Sequence, residues 1–113
     1  MTWFPTPLVT PEWVGEHHGD VVLADVRWYL DGRDGRAAYE ERHLPGAVYV
    51  SIDTDLSAGA GGTAGRHPLP TPEHFAAAMS RLGIGDDTPV VAYDDSGGGT
   101  AGRLVWMLRV LGH

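Results

Sequence analysis

Apolar and polar positions along the chain alternate in the manner of strands followed by helices. Leu8-Val9 predicts a short strand, and Thr10-Pro11-Glu12 predicts a helix start. Thr10 supplies the cap, Pro11 arrives with first-turn backbone torsion, and Glu12 suits the positive end of the helix dipole. This helix is expected to bury Trp13 and Val14 and to stop near Gly19. Val21-Val22-Leu23-Ala24-Asp25-Val26 is almost continuously apolar, the pattern of a strand covered on both faces. A polar loop from Gly32 to Gly35 leads into a short helical stretch through Ala37, Ala38 and Tyr39. Leu44-Pro45-Gly46 predicts a turn, and residues 47–50 the next strand. Residues 51–70 carry no period and include Gly59, Gly61, Gly62 and Gly65; a loop of that length is more often functional than regular. Thr71-Pro72-Glu73 repeats the first helix start and places Phe75, Met79 and Leu82 on one face before Gly83. Residues 89–93 predict another strand, residues 94–100 a glycine-rich loop, and Ala101, Leu104, Val105, Leu108 and Leu111 a final helix. The expectation is an α/β fold, a parallel sheet with helices on both faces.

Composition narrows what such a fold can do. The 113 residues suffice for one domain, with 42% hydrophobic residues, a globular composition. Lys and Arg number 8 against 15 Asp and Glu, a net charge of −7, and no basic cluster exists to neutralise phosphates. A nucleic-acid partner is therefore not expected. Neither is a membrane, since no apolar run approaches the roughly 20 residues of a spanning helix. The start Met1-Thr-Trp-Phe-Pro lacks the features of a secretory signal, so a cytoplasmic protein is expected. Cysteine is absent, which removes disulfides, thiolate metal sites and any thiol nucleophile within these residues. His17, His18, His43, His67, His74 and His113 show no ligand spacing, so no metal and no cofactor is expected.

In a parallel α/β sheet the chemistry gathers where strands end and helices begin. Two such edges are polar: Asp25-Val26-Arg27-Trp28-Tyr29, and residues 94–100 with Gly97, Gly98 and Gly99. The latter predicts a nest of backbone N–H groups at a helix start. It is not a P-loop, because Gly102 is followed by Arg103 and Leu104 in place of the lysine and hydroxyl. Gly97, Gly99 and Gly102 fit a dinucleotide fingerprint only weakly, with no acidic residue about twenty positions on. Adjacent Asp94 and Asp95 lack the spacing of an aspartyl-phosphate site, and the plainer expectation is that one of them caps the last helix. For Trp28 and Trp106 the plainer expectation is core packing, more weakly for Trp28 at a strand's carboxyl end.

Taken together, Asp25-Val-Arg-Trp-Tyr-Leu, His43-Leu-Pro-Gly-Ala47, Arg66-His-Pro-Leu-Pro70 and the strand–loop–helix ending at Gly112-His113 resemble the rhodanese family. The closer resemblance is to the N-terminal, non-catalytic domain of two-domain thiosulfate or 3-mercaptopyruvate sulfurtransferases. It implies a tail over residues 1–7, a rhodanese-like domain over 8–113, and a catalytic domain beyond residue 113. It also implies a sheet lacking its last strand and helix, with an open edge through which copies could associate. In the family a cysteine stands in a loop of the pattern C-x-x-G-x-[TS]-A, and here Asp95 occupies that place, with Gly98, Thr100 and Ala101 following. The chain alone is then expected to be inactive, with the Asp95 carboxylate filling the loop's own anion cradle. Trp28 is implied to line a substrate pocket between the domains, and Asp94 and Arg103 to lie at the domain boundary. An aromatic pair that the family carries near Gly99 and Thr100 is missing. Implied partners are the catalytic domain and a sulfur donor such as thiosulfate or 3-mercaptopyruvate, with cyanide or another thiophile as acceptor. The alternative is a stand-alone, cysteine-free binding or regulatory module.

Overall fold

The computed structural model describes residues 8–58 and 67–111; the expected tail at 1–7, the glycines at 59–65, Arg66 and the closing Gly112-His113 lie outside the described residues. Four helices and three strands follow in the order α1 Pro11–His17, β1 Val22–Asp25, α2 Gly35–Glu41, β2 Val48–Tyr49, α3 Pro72–Arg81, β3 Val90–Tyr93 and α4 Gly99–Val110. The strands form one parallel sheet ordered β2-β1-β3, so the α/β expectation holds. Ala24 lies beside Val48 on one side and Ala92 on the other, and Asp25 beside Tyr49 and Tyr93.

Alternation along the strands sorts the residues to two faces. Val22, Ala24, Val26, Val48, Val50, Val90 and Ala92 join the main core with Phe75, Ala78 and Met79 of α3 and Ala101, Leu104, Met107 and Leu108 of α4. Tyr49 projects to the other face, where its ring meets Tyr39 of α2 at 5.6 Å and the Arg36 guanidinium at 4.9 Å. Gly35, expected at the end of a loop, is the first residue of α2 and is buried. A Cβ at that point would collide with the Arg27 carbonyl oxygen and the Tyr49 hydroxyl, so only glycine lets α2 approach β1 this closely.

Both Thr-Pro-Glu starts form as the residue types require. The Thr10 hydroxyl accepts from Trp13 N at 3.1 Å, and the Thr71 hydroxyl accepts from His74 N at 3.1 Å. At the far end of α3, Gly83 takes φ +82° and Ile84 N reaches back to Met79 O at 2.9 Å, burying Ile84 beside the core.

Two expectations fail on the same side of the molecule. Leu8-Val9 adds no strand to the sheet, and Leu8 is 85% exposed. A strand forms only where a neighbour takes its ladder bonds, and β3 pairs with β1 alone among the described residues. Trp13 and Val14 are not buried either; Trp13 instead stacks on His17 within its own helix at 4.0 Å. The segment from Leu8, α1, β3 and α4 enclose an open groove of about 700 Å³, with Val14, Val91 and Trp106 on its walls. Val91 and Ala92 are only half-buried there, although their sequence is that of a strand covered on both faces. Among the described residues no helix is long and apolar enough to cross a membrane.

Candidate functional site

Because β1 and β3 run parallel, the segments following them leave the sheet at the same edge. Asp25, at the end of β1, is completely buried. Its carboxylate accepts from Arg27 Nε at 3.1 Å, Arg27 Nη2 at 2.8 Å, Arg27 N at 3.2 Å and the Tyr93 hydroxyl at 3.1 Å. Arg27 Nη2 also donates to Arg42 O at 2.6 Å, and the Tyr93 oxygen accepts from Leu44 N at 3.1 Å. The hydrogen bonds that Arg27 donates to Asp25 raise the Arg27 pKa, and burial pushes the Tyr93 phenol up to about 12. A buried carboxylate with every partner in place fixes the strand ends and the following turns relative to one another.

The glycine loop after β3 closes on itself. Asp94 Oδ1 accepts from Ser96 N and Gly98 N, both at 2.9 Å. Asp94 Oδ2 accepts from Thr100 N at 3.0 Å, the Thr100 hydroxyl at 3.0 Å and Ala101 N at 2.7 Å. Gly97 and Gly98 take φ +73° and +91°, which turns these N–H groups inward. Burial acts to raise the Asp94 pKa, but the hydrogen bonds from Ala101, Ser96, Gly98 and Thr100 outweigh it and hold the group at about 2. The carboxylate in the cradle is therefore Asp94, whereas the family resemblance implied Asp95. Asp94 is the first residue after β3, and its carboxylate reaches all four of these amides. The Asp95 carboxylate lies outside the cradle, where it accepts from the Tyr29 hydroxyl at 2.6 Å, a bond that raises the Tyr29 pKa. The expectation that one aspartate caps the last helix holds for Asp94.

Trp28 follows β1 at the same edge, half-buried and packed against the core. Its ring meets His67 edge-on, with centroids 4.9 Å apart and an interplanar angle of 86°. His67 Nε2 lies 2.7 Å from Asp53 Oδ1. A carboxylate can only accept, so the proton of that bond sits on Nε2, and Nδ1 is the ring's basic nitrogen. The His67 side chain is 17% exposed and that of Asp53 64%, so this pair sits at the surface while Trp28 closes its inner side. Asp53 and His67 were not singled out from the sequence. They belong to opposite limbs of an aperiodic segment, and no spacing rule connects them.

Arg103 of α4 turns inward. Its Nη2 donates to Leu56 O at 2.7 Å and to His67 O at 3.0 Å, and its Nε is buried without a hydrogen-bond partner among the described residues. Burial lowers its pKa. Among the described residues no group of three or more His, Asp or Glu side chains is arranged to hold a metal ion.

The arrangement has known counterparts. The rhodanese-like domain family matches residues 10–113, and the chain belongs to that family. It is 47% identical over 95 residues to SseB of Mycobacterium tuberculosis, covering 83% of this chain and 34% of the relative. It is 42% identical over 118 residues to human 3-mercaptopyruvate sulfurtransferase, covering 94% of this chain and 38% of the relative. The structure of 3-mercaptopyruvate sulfurtransferase from Leishmania major superposes with a TM-score of 0.83 at 32% identity, over 89% of this chain and 28% of that one. The chain thus spans about a third of the length of the curated relatives it matches.

Proposed function

We propose that this chain is the supporting, non-catalytic rhodanese domain of a sulfurtransferase, and that the reactive thiolate comes from a second rhodanese domain. The observation that carries this reading is the glycine loop. Where the family places a cysteine, this sequence has Asp95, and the amides that would greet an incoming anion are already bound to Asp94. Sulfur transfer runs through a thiolate that takes a sulfane sulfur from the donor. Thiosulfate gives up that sulfur and leaves as sulfite, forming a persulfide; cyanide then removes the sulfur as thiocyanate and restores the thiolate. No carboxylate can hold the sulfur in this way.

What the chain contributes is the wall facing that thiolate. Trp28 offers an apolar surface, and His67 with Asp53 offers a proton carrier beside it. A donor such as 3-mercaptopyruvate leaves as an enolate that needs a proton at carbon, which gives such a pair a task. Asp94 and Arg103, expected at a domain boundary, have internal partners, so the proposed contact rests on Trp28, His67 and Asp53.

The test is a transfer assay with thiosulfate or 3-mercaptopyruvate as donor and cyanide as acceptor. The chain alone should form no thiocyanate. Mixed with a cysteine-bearing rhodanese domain it should raise that domain's turnover, and Trp28→Ala should abolish the gain. Thiocyanate formed by the chain alone would overturn the reading. A chain that binds such a domain without changing its turnover would favour the second reading, a cysteine-free binding module, for which the self-filled loop also speaks.

A further inference from the structure

Arg103 is an expensive residue for the place it holds. Its guanidinium is partly buried, one of its N–H groups has no acceptor, and no carboxylate lies against it among the described residues. Desolvating a cation without a counter-charge opposes folding, so a methionine or leucine would serve simple packing at least as well. What an apolar side chain cannot do is bind two carbonyl oxygens at once. Those carbonyls are Leu56 O and His67 O, one on each limb of the segment between β2 and α3. The limbs are held together beside them by Ala58 N donating to Pro68 O at 3.0 Å. Asp53 lies on the first limb and His67 on the second, and their hydrogen bond spans the gap.

We propose that Arg103 is the positioning residue for His67: it fixes the His67 backbone so that the imidazole meets Asp53 on one side and the Trp28 ring on the other. The same helix begins in the Asp94 loop, so one rigid element sets both the closed loop and the open pair. The proposal rests on the reading of His67 and Asp53 as the proton-handling pair. It adds to that reading a requirement for the reach of an arginine, because a single nitrogen at the far end of the guanidinium holds both carbonyls at once.

The experiment follows the Nε2-bound proton of His67 by NMR in the 113-residue chain, with the amide protons of α3 and α4 as internal references. In the wild type this proton should exchange slowly, as expected of a hydrogen bond to a carboxylate. Arg103→Met should speed its exchange about two- to tenfold, the scale of one net hydrogen bond, while the reference amides keep their rates. Arg103→Lys, which keeps the charge on a shorter side chain, should lie between the two. An unchanged His67 proton in folded Arg103→Met overturns the proposal, as does equal acceleration of every amide, the mark of plain destabilisation. If Arg103→Met does not fold, the lysine variant decides: intermediate exchange supports the proposal and wild-type exchange overturns it. A wild-type proton that already exchanges freely sinks the pair itself, a failure distinct from that of Arg103.

Discussion

Asp94 and Asp53 are both carboxylates at the carboxyl edge of the same sheet, and they are used in opposite ways. Asp94 faces inward and is saturated by four backbone N–H groups and a hydroxyl of its own loop. Asp53 faces outward, with one side-chain hydrogen bond among the described residues, to the His67 imidazole. The first arrangement converts an anion site into a structural joint. The second leaves hydrogen-bonding capacity at the surface, next to an aromatic ring.

The sharpest way to test that division is to remove the carboxylate on which the closed side is built. Asp25→Ala leaves Arg27 and Tyr93 without their shared partner in a fully buried position, and should lower stability by about 3–5 kcal/mol in urea unfolding. A loss under about 1 kcal/mol would mean that the inner network is no stronger than a surface pair. Asp94→Ala comes next, at about 2 kcal/mol, because it removes a helix cap and several charge-assisted bonds from a loop that solvent can partly reach.

Acid separates Asp94 from the exposed carboxylates. Its folded pKa of about 2 lies below the ordinary value of 3.8, so folding favours the ionised form. That stabilisation is complete above about pH 4 and is lost as pH falls through about 2. Asp94→Asn should therefore unfold with a shallower dependence on pH between about 4 and 2 than the wild type, measured by the urea midpoint at each pH. Equal slopes for the two proteins would show that the loop amides do not bind the carboxylate in solution.

The frame of the molecule was readable in advance for identifiable reasons. Thr-Pro-Glu names a helix start twice, because cap, torsion and charge each act within one turn. Val22 to Asp25 and Val90 to Tyr93 lie in mainly apolar runs whose strand character follows from their length and residue type. What escaped was whatever depends on a partner far along the chain. Leu8-Val9 has strand composition and finds no neighbour in the sheet. The choice between Asp94 and Asp95 turns on a single residue of register at the end of β3, which composition does not encode. His67 and Asp53 meet across a segment with no period, and Arg103 reaches into it from α4.

The open side should respond weakly in stability and strongly in behaviour. Asp53→Asn replaces an exposed, singly bonded carboxylate, and should change unfolding stability by less than about 1 kcal/mol. Tryptophan emission supplies a local readout only if Trp28 is isolated from the other three tryptophans, which Trp3, Trp13 and Trp106 changed to phenylalanine would achieve.

The smallest expected effect lies at Asp95. Its hydrogen bond to Tyr29 holds that phenol's pKa above the ordinary value of 10.0, so Asp95→Asn should bring the Tyr29 titration back toward that value in an ultraviolet pH titration. Stability should not change measurably, since the pair is exposed and the loop amides belong to Asp94. The pairing of Asp95→Asn with Asp94→Asn isolates the register of the loop from its composition. Two neighbouring residues of one type, given the same substitution, should yield a structural loss in one case and only a shifted phenol in the other. If Asp95→Asn instead produced the larger loss and the altered acid profile, the carboxylate in the cradle would be Asp95. The loop would then carry its charge at the place that the family resemblance assigns to a nucleophile.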